Sequence, residues 1–233
     1  MTTIREQIIS ALVTRLAHIT TAHGYATGIG ANALRCVQVP AESQLDYVAA
    51  WPRAEESVRK YGKNTCTMPV KIEAAALFGA TDPSIVMEQL LGDVIECLTA
   101  VTWTLAFTAG ATEITVGQTI IGGTSLAAAY VAGITITSGS FAGGDAAGSL
   151  TLRRLTGTFV AEDLKVSGSK VAETAGTIVA ATAVTSATGG LADDIAYTAG
   201  GPENYPAPGD LVCGVSVMIT VIYKTVAGNP FAQ

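Results

Sequence analysis

The sequence predicts an α+β protein: a mixed or antiparallel sheet with two packed helices, interrupted by an all-β insertion of sandwich or small-barrel type. Three observations predict it. Two segments carry apolar residues at helical spacing behind a capping residue, several others alternate with a period of two, and one long stretch changes composition to Gly, Ala, Thr, Ser and Val. Hydrophobic residues make up 49% of the chain and charged residues 14%, which fills a sizeable core and is too apolar for intrinsic disorder. The sparse charge and the 25 glycines suggest broad, weakly solvated surfaces of the kind that assembling proteins carry.

The first element is a helix over 3–23. Thr3 and Glu6 have capping-box spacing, and Ile4, Ile8, Leu12, Leu16 and Ile19 form one stripe. Gly24 is placed to end it. After a loop with Gly28 and Gly30, strands are expected at 34–39, stopped by Pro40, and at 46–51, stopped by Pro52. The charged residues 53–63 read as a solvated or mobile loop with room for a short helix. Residues 65–74 alternate, with Cys66, Met68, Val70, Ile72 and Ala74 on one face, and Pro69 points to an edge position or a bulge. Asp82-Pro83 caps and opens a second helix that runs to about Ala100.

From 104 to 190 there is no proline, cysteine, histidine or tryptophan. Strand-like pieces at 113–116, 130–137, 149–155, 164–166 and 177–183 are punctuated by Gly-Gly and Ser-Gly pairs. A short strand at 194–198, turns at 200–202 and 206–209, and a long strand at 211–226 follow. That last strand is apolar on both faces, so helices are expected on one side and a neighbouring subunit on the other. The expected organisation is one α+β domain, 1–103 plus 191–233, with a β domain, 104–190, inserted in it.

A net charge of −6 excludes a basic nucleic-acid footprint. No apolar run reaches membrane-spanning length, and Arg5 and Glu6 lead into an amphipathic pattern rather than a secretory leader, so a soluble protein made in the cytoplasm is expected. Cys36, Cys66, Cys97 and Cys213 lack metal or disulfide-framework spacing and read as buried, reduced thiols. His18 and His23 are five residues apart, which is not a metal pair. Gly28-Ile29-Gly30 follows a helix, not a strand, which argues against dinucleotide binding. The adjacent acids Glu55-Glu56, Glu162-Asp163 and Asp193-Asp194 point apart on a strand and read as solvated, as does Arg153-Arg154. No nucleophile, base and orienting acid assemble, so no catalytic, cofactor or metal site is assigned and an enzyme is not expected. Phe107, Tyr130, Phe141 and Phe159 are spaced like core residues, which disfavours the competing reading of the insertion as a carbohydrate-binding platform. The candidate partner-binding residues are Arg53, Glu55, Glu56, Arg59, Lys60 and Lys63, in a charged loop that assembly would order, and Asn229, Pro230 and Phe231, in a tail suited to docking on a neighbour.

The opening Ile4-Arg5-Glu6-Gln7-Ile8-Ile9 with Leu12 and Leu16, and the ending Val221-Ile222-Tyr223-Lys224-Thr225 with Gly228-Asn229-Pro230-Phe231, resemble phage tail terminator (tail completion) proteins. The resemblance covers 1–103 and 191–233. It implies a non-enzymatic virion protein forming a hexameric ring on the head-proximal end of the tail tube. It also implies tail-tube protein and a neck or connector protein as partners, and DNA passing through the lumen. The parent segments carry 9 Lys+Arg against 14 Asp+Glu, net −5, which agrees with a lumen that does not hold DNA. The insertion departs from a minimal terminator and is expected as a decoration outside the ring. A tube, stopper or minor tail subunit is the alternative within the same class.

Overall fold

Thr3 opens α1 (Ile4–Leu16), its hydroxyl accepting the Glu6 N–H at 3.1 Å, and Ile4, Ile8, Ile9, Leu12 and Leu16 are buried along one face. In the computed structural model, residues 2–36, 45–181, 187–204, 206–207 and 210–233 are described. The helix stops at Leu16, seven residues short of the expected end at 23. The last turn tightens through His18 N–H to the Arg15 carbonyl and Ile19 N–H to the Leu16 carbonyl. Gly30 then packs against the helix end, where a Cβ would lie 2.7–2.8 Å from the carbonyl oxygens of Leu16, Ala17 and Ile19. Ile19 stays buried without being helical.

The chain divides into two compact units. The first comprises Met1–Thr21, Tyr25–Ala100 and Ala183–Gln233; the second comprises Ala22–Gly24 and Val101–Thr182. Ala187 and Ala192 are buried in the first unit's core with Leu191 packed against it, so the boundary precedes them and does not fall at 190 as the composition suggested.

The first unit is built on a mixed sheet. Its centre is the pair β4 (Lys63–Leu77) and β13 (Val212–Val226), antiparallel from Lys63↔Val226 to Leu77↔Val212. β2 (Tyr47–Pro52) pairs with β4, and β1 (Ala33–Arg35) pairs with β2 in parallel. β12 (Asp194–Asn204) forms the far edge on β13. α1 and α2 (Pro83–Thr99) lie on one face, over Met68, Val70 and Ile72 of β4 and Val215, Val217, Ile219 and Val221 of β13. Asp82 caps α2 through the Ser84 N–H at 2.8 Å, with Pro83 next to it. The alternation at 65–74 is therefore real, and its apolar face is the core. The opposite face of β13, with Ser216, Met218, Thr220 and Ile222, is half-buried.

Three expectations change. Strand β1 covers only part of 34–39, and residues 37–40 lie outside the described residues. Strand β2 includes Pro52 instead of stopping before it. Strand β12 runs through Gly200-Gly201-Pro202, expected as a turn, absorbing them with register shifts at Tyr197/Ala199 and Pro202/Asn204; a sheet edge tolerates proline because one side of it needs no N–H. Pro69 sits at neither an edge nor a bulge. Its carbonyl accepts the Arg53 N–H at 2.9 Å, so its missing N–H faces the break between β2 and the next strand, where no ladder donor is required.

The second unit is antiparallel. Its strands are β5 (Thr102–Gly110), β6 (Thr119–Gly122), β7 (Ala128–Ser138), β8 (Ala146–Thr156), β9 (Asp163–Val166), β10 (Ser169–Thr174) and β11 (Val179–Ala181). Pairings run β5–β8–β7–β6–β9–β10 and return from β10 to β5, a closed circuit of six strands, while β11 extends the same edge of β5. Leu105, Phe107, Val131, Leu150, Leu152, Phe159 and Leu164 fill its core. Phe141 lies parallel to Phe107 with ring centres 6.1 Å apart, so three of the four insertion aromatics are core residues. The segment 113–116 is not a strand; Ile114 is a buried loop residue.

Candidate assembly surface

Residues 53–63, expected as a loop, form half of a β-hairpin. β3 (Glu56–Lys60) pairs with β4 from Glu56↔Thr67 to Lys60↔Lys63. Tyr61 and Gly62 connect them with φ of 50° and 75°, the two positive values that a two-residue type I′ turn requires. The charge pattern hid this strand because every residue of β3 is exposed and no apolar alternation marks it. Val58 is 68% and Tyr61 93% exposed, so the hairpin presents apolar groups to solvent beside Arg59, Lys60 and Lys63. The Lys60 ammonium lies 5.3 Å from the Tyr61 ring centre.

The hairpin is anchored at its base. Arg5 on α1 donates from Nε to Glu55 Oε2 at 3.1 Å and from Nη2 to the Arg53 carbonyl at 2.9 Å. Tyr223 on β13 donates its hydroxyl to the same Glu55 oxygen at 2.7 Å. Burial, and then this carboxylate, hold the Tyr223 phenol protonated well above the ordinary tyrosine range. Arg5, Glu55, Ser57, Cys66, Tyr223 and Pro230 line a cavity of about 260 Å³ under the hairpin. Neighbouring Glu6 is held below the usual carboxylate range, chiefly by the Arg35 guanidinium at 2.5 Å.

The tail folds back on its own unit. Gly228, at φ 80°, turns the chain after β13, and Val226 N–H donates to the Ala232 carbonyl at 2.9 Å. The Pro230 carbonyl accepts the Ile4 N–H at 2.9 Å, satisfying one of the free donors at the start of α1. Asn229 Oδ1 accepts the Phe231 N–H at 3.1 Å, and Gln233 donates to the Leu191 carbonyl. Ala227 N–H binds the Gly62 carbonyl at 2.9 Å. The two predicted groups thus meet: hairpin turn, tail and helix start form one surface of the first unit. Phe231, 44% exposed, is its remaining apolar element.

The other singled-out residues are structural. Asp193 pairs with Lys224 at 3.1 Å and Asp163 with Lys170 at 2.8 Å. Glu162 accepts from the backbone of Thr124 and Ser125 and from the Ser125 hydroxyl; partial burial raises its pKa, but these hydrogen bonds outweigh that and bring it to about 2. Arg153 is not solvent-facing. β8 slips against β7 between Ala128↔Thr156 and Tyr130↔Arg153, with Arg154 at φ 51°, so both Leu152 and Arg153 turn inward. Arg153 donates to the His23 carbonyl and lies 5.5 Å from the Tyr130 ring centre. Cys36 is exposed, against expectation; Cys66, Cys97 and Cys213 are buried. Asp93, unremarked in the sequence, is 3% exposed on α2 and accepts from Ala26 N–H, Thr27 N–H and the Thr27 hydroxyl at 3.0, 2.8 and 2.7 Å. Its spacing on the apolar face of α2, three residues after Leu90, was the available signal.

Among the described residues, no three His, Cys, Asp or Glu side chains gather as a metal site, and no helix is long and apolar enough to cross a membrane. No known family's sequence model matches the chain, and no curated protein matches it significantly.

Proposed function

We propose that this chain is a non-enzymatic virion subunit that assembles into a closed ring and terminates a phage tail tube. The observation that supports this most is the hairpin surface. A fully exposed five-residue strand carrying Val58 at 68% exposure, followed by a turn with Tyr61 at 93%, is anchored by Arg5, Glu55 and Tyr223. An anchored arm with apolar and cationic groups has the build of a contact element, since isolated exposed apolar residues cost little but a preformed arm lowers the entropy lost on association. The order of elements, a capped helix, paired strands, a second helix and a long last strand, agrees with what the tail terminator resemblance implies. The tail-tube protein on one side of the ring and a neck protein on the other are the proposed partners, with DNA passing through the lumen and no cofactor involved. The same features suit another tail or neck subunit, and assembly geometry separates these: a terminator closes, whereas a tube protein stacks. Mass measurement and negative-stain imaging of the purified chain test this. Closed rings of about six subunits are expected, and open polymers would reassign the chain to the tube.

A further inference from the structure

Among the described residues, two edges of the first unit's sheet, β3 and β12, carry opposite charge. Residues 53–63 carry Arg53, Arg59, Lys60 and Lys63 against Glu55 and Glu56, so 4 − 2 gives +2. Residues 191–210 carry Asp193, Asp194, Glu203 and Asp210 and no Lys or Arg, giving −4, of which Lys224 offsets Asp193 and Lys71 offsets Glu203 within the chain. Among the described residues, the first group flanks β3, which pairs only with β4, and the second flanks β12, which pairs only with β13.

The two edges also match in direction, with their opposite charges offset along the strands. Thr67 pairs with Glu56 on one side and Ile222 on the other, and Ile222 pairs with Asp194, so Glu56 and Asp194 lie in one row across the sheet. Each neighbouring pair in that row is antiparallel, so β3 runs opposite to β12. A second copy set beside the first in the same orientation therefore meets it as an antiparallel neighbour. The far half of β12 is guarded by two register shifts and Pro202, whereas Asp194–Tyr197 pairs regularly and leaves a straight outer edge.

We propose that the β3 edge of one copy docks on the Asp194 end of β12 of a second copy, head to tail and shifted along the strands by three residues, so that Arg59 and Lys60 face Asp194 and Asp193 and the like-charged Glu56 is moved off Asp194. Such a contact is heterologous: each copy uses one edge and leaves the other, so the sheet continues from subunit to subunit until the rotation closes it. Apolar Val58 supplies contact area, and the charges set register and partner. The inference rests on the ring reading and names its interface.

The test is a charge swap on the full chain, read by sedimentation velocity and imaging at low and high salt. Arg59→Glu/Lys60→Glu and Asp193→Lys/Asp194→Lys each place like charges across the contact and are expected to weaken association about ten- to a hundredfold. In an equimolar mixture of the two variants, alternating copies set reversed edge against reversed edge and unaltered edge against unaltered edge, so every contact is complementary and assembly is expected to return. The quadruple variant carries reversed charges on both edges and is expected to regain wild-type assembly. All four positions are exposed and the one ion pair removed, Asp193–Lys224, is itself solvent-exposed, so circular dichroism should be unchanged. Rings that dissociate in both double variants and return in the quadruple one support the contact. Rings that persist in both double variants overturn it and leave the ring reading standing. Open filaments that respond to the swap support the edge contact and remove the terminator reading. A wild-type chain that stays monomeric across the accessible concentration range overturns the contact.

Discussion

Replacing Asp93 by alanine tests whether the segment after α1 is held by one buried carboxylate. Asp93 is 3% exposed and accepts three hydrogen bonds, from the backbone N–H of Ala26 and Thr27 and from the Thr27 hydroxyl. Each bond to a charged acceptor contributes about 1.5–3 kcal/mol when measured by deletion. The contributions do not sum, because Ala26 is exposed and Thr27 half-buried, so water replaces part of what the carboxylate gave. A net loss of about 2–4 kcal/mol is expected for Asp93→Ala. Asp93→Asn keeps one acceptor but turns an NH2 group towards a donor, and about 1–2 kcal/mol is expected. Urea denaturation gives the stability, and hydrogen exchange at the Ala26 and Thr27 amides locates the effect. A loss under about 0.5 kcal/mol for Asp93→Ala, with those amides still protected, would refute the reasoning.

Glu162→Gln tests the carboxylate clamp on Thr124 and Ser125. A folded pKa of about 2 against an ordinary 4.5 gives stability that is present above pH 4.5 and is lost as pH falls towards 2. At this half-buried site, screening leaves roughly 1–2 kcal/mol, and the variant's stability should lack that acid-limb slope in a pH series of thermal melts. Gly30→Ala should destabilise by about 2–3 kcal/mol, since its Cβ meets three carbonyl oxygens of the α1 terminus; an unchanged melting temperature would mean the helix end moves freely. Tyr223→Phe removes the hydroxyl from Glu55 and is expected to cost about 1–2 kcal/mol, with faster amide exchange in β3 as the specific sign. Val58→Ser with Tyr61→Ser should leave stability within about 0.5 kcal/mol yet lower the assembled mass; equal loss of both would show that the pair supports the fold.

Legibility followed burial. α1, α2, the alternation of 65–74 and the last strand could be read because one face of each is packed and its apolar residues recur at a fixed period. β3 could not, because a wholly exposed strand carries no such period and its position is set by the Tyr61-Gly62 turn and by Glu55. Arg153 was misread because a bulge, which the sequence does not mark, breaks the alternation and turns two consecutive residues inward. β12 was cut short because Gly200-Gly201-Pro202 usually signals a turn, whereas at an edge with register shifts the strand accommodates them. The candidate surface was legible as a set of residues but not as an arrangement: the hairpin and the tail are far apart in sequence, and their junction at Gly62 and Ala227 is a backbone contact that no side-chain pattern records.

The most direct test of the proposed role is tail-tube growth measured with and without this protein. Polymerising tail-tube protein is mixed with the purified chain, and tube lengths and ends are scored by electron microscopy. Tubes that stop growing when the chain is added, each with a ring on one end only, are the expected result. Tubes of unchanged length with bare ends, at concentrations where the chain itself forms rings, would contradict it.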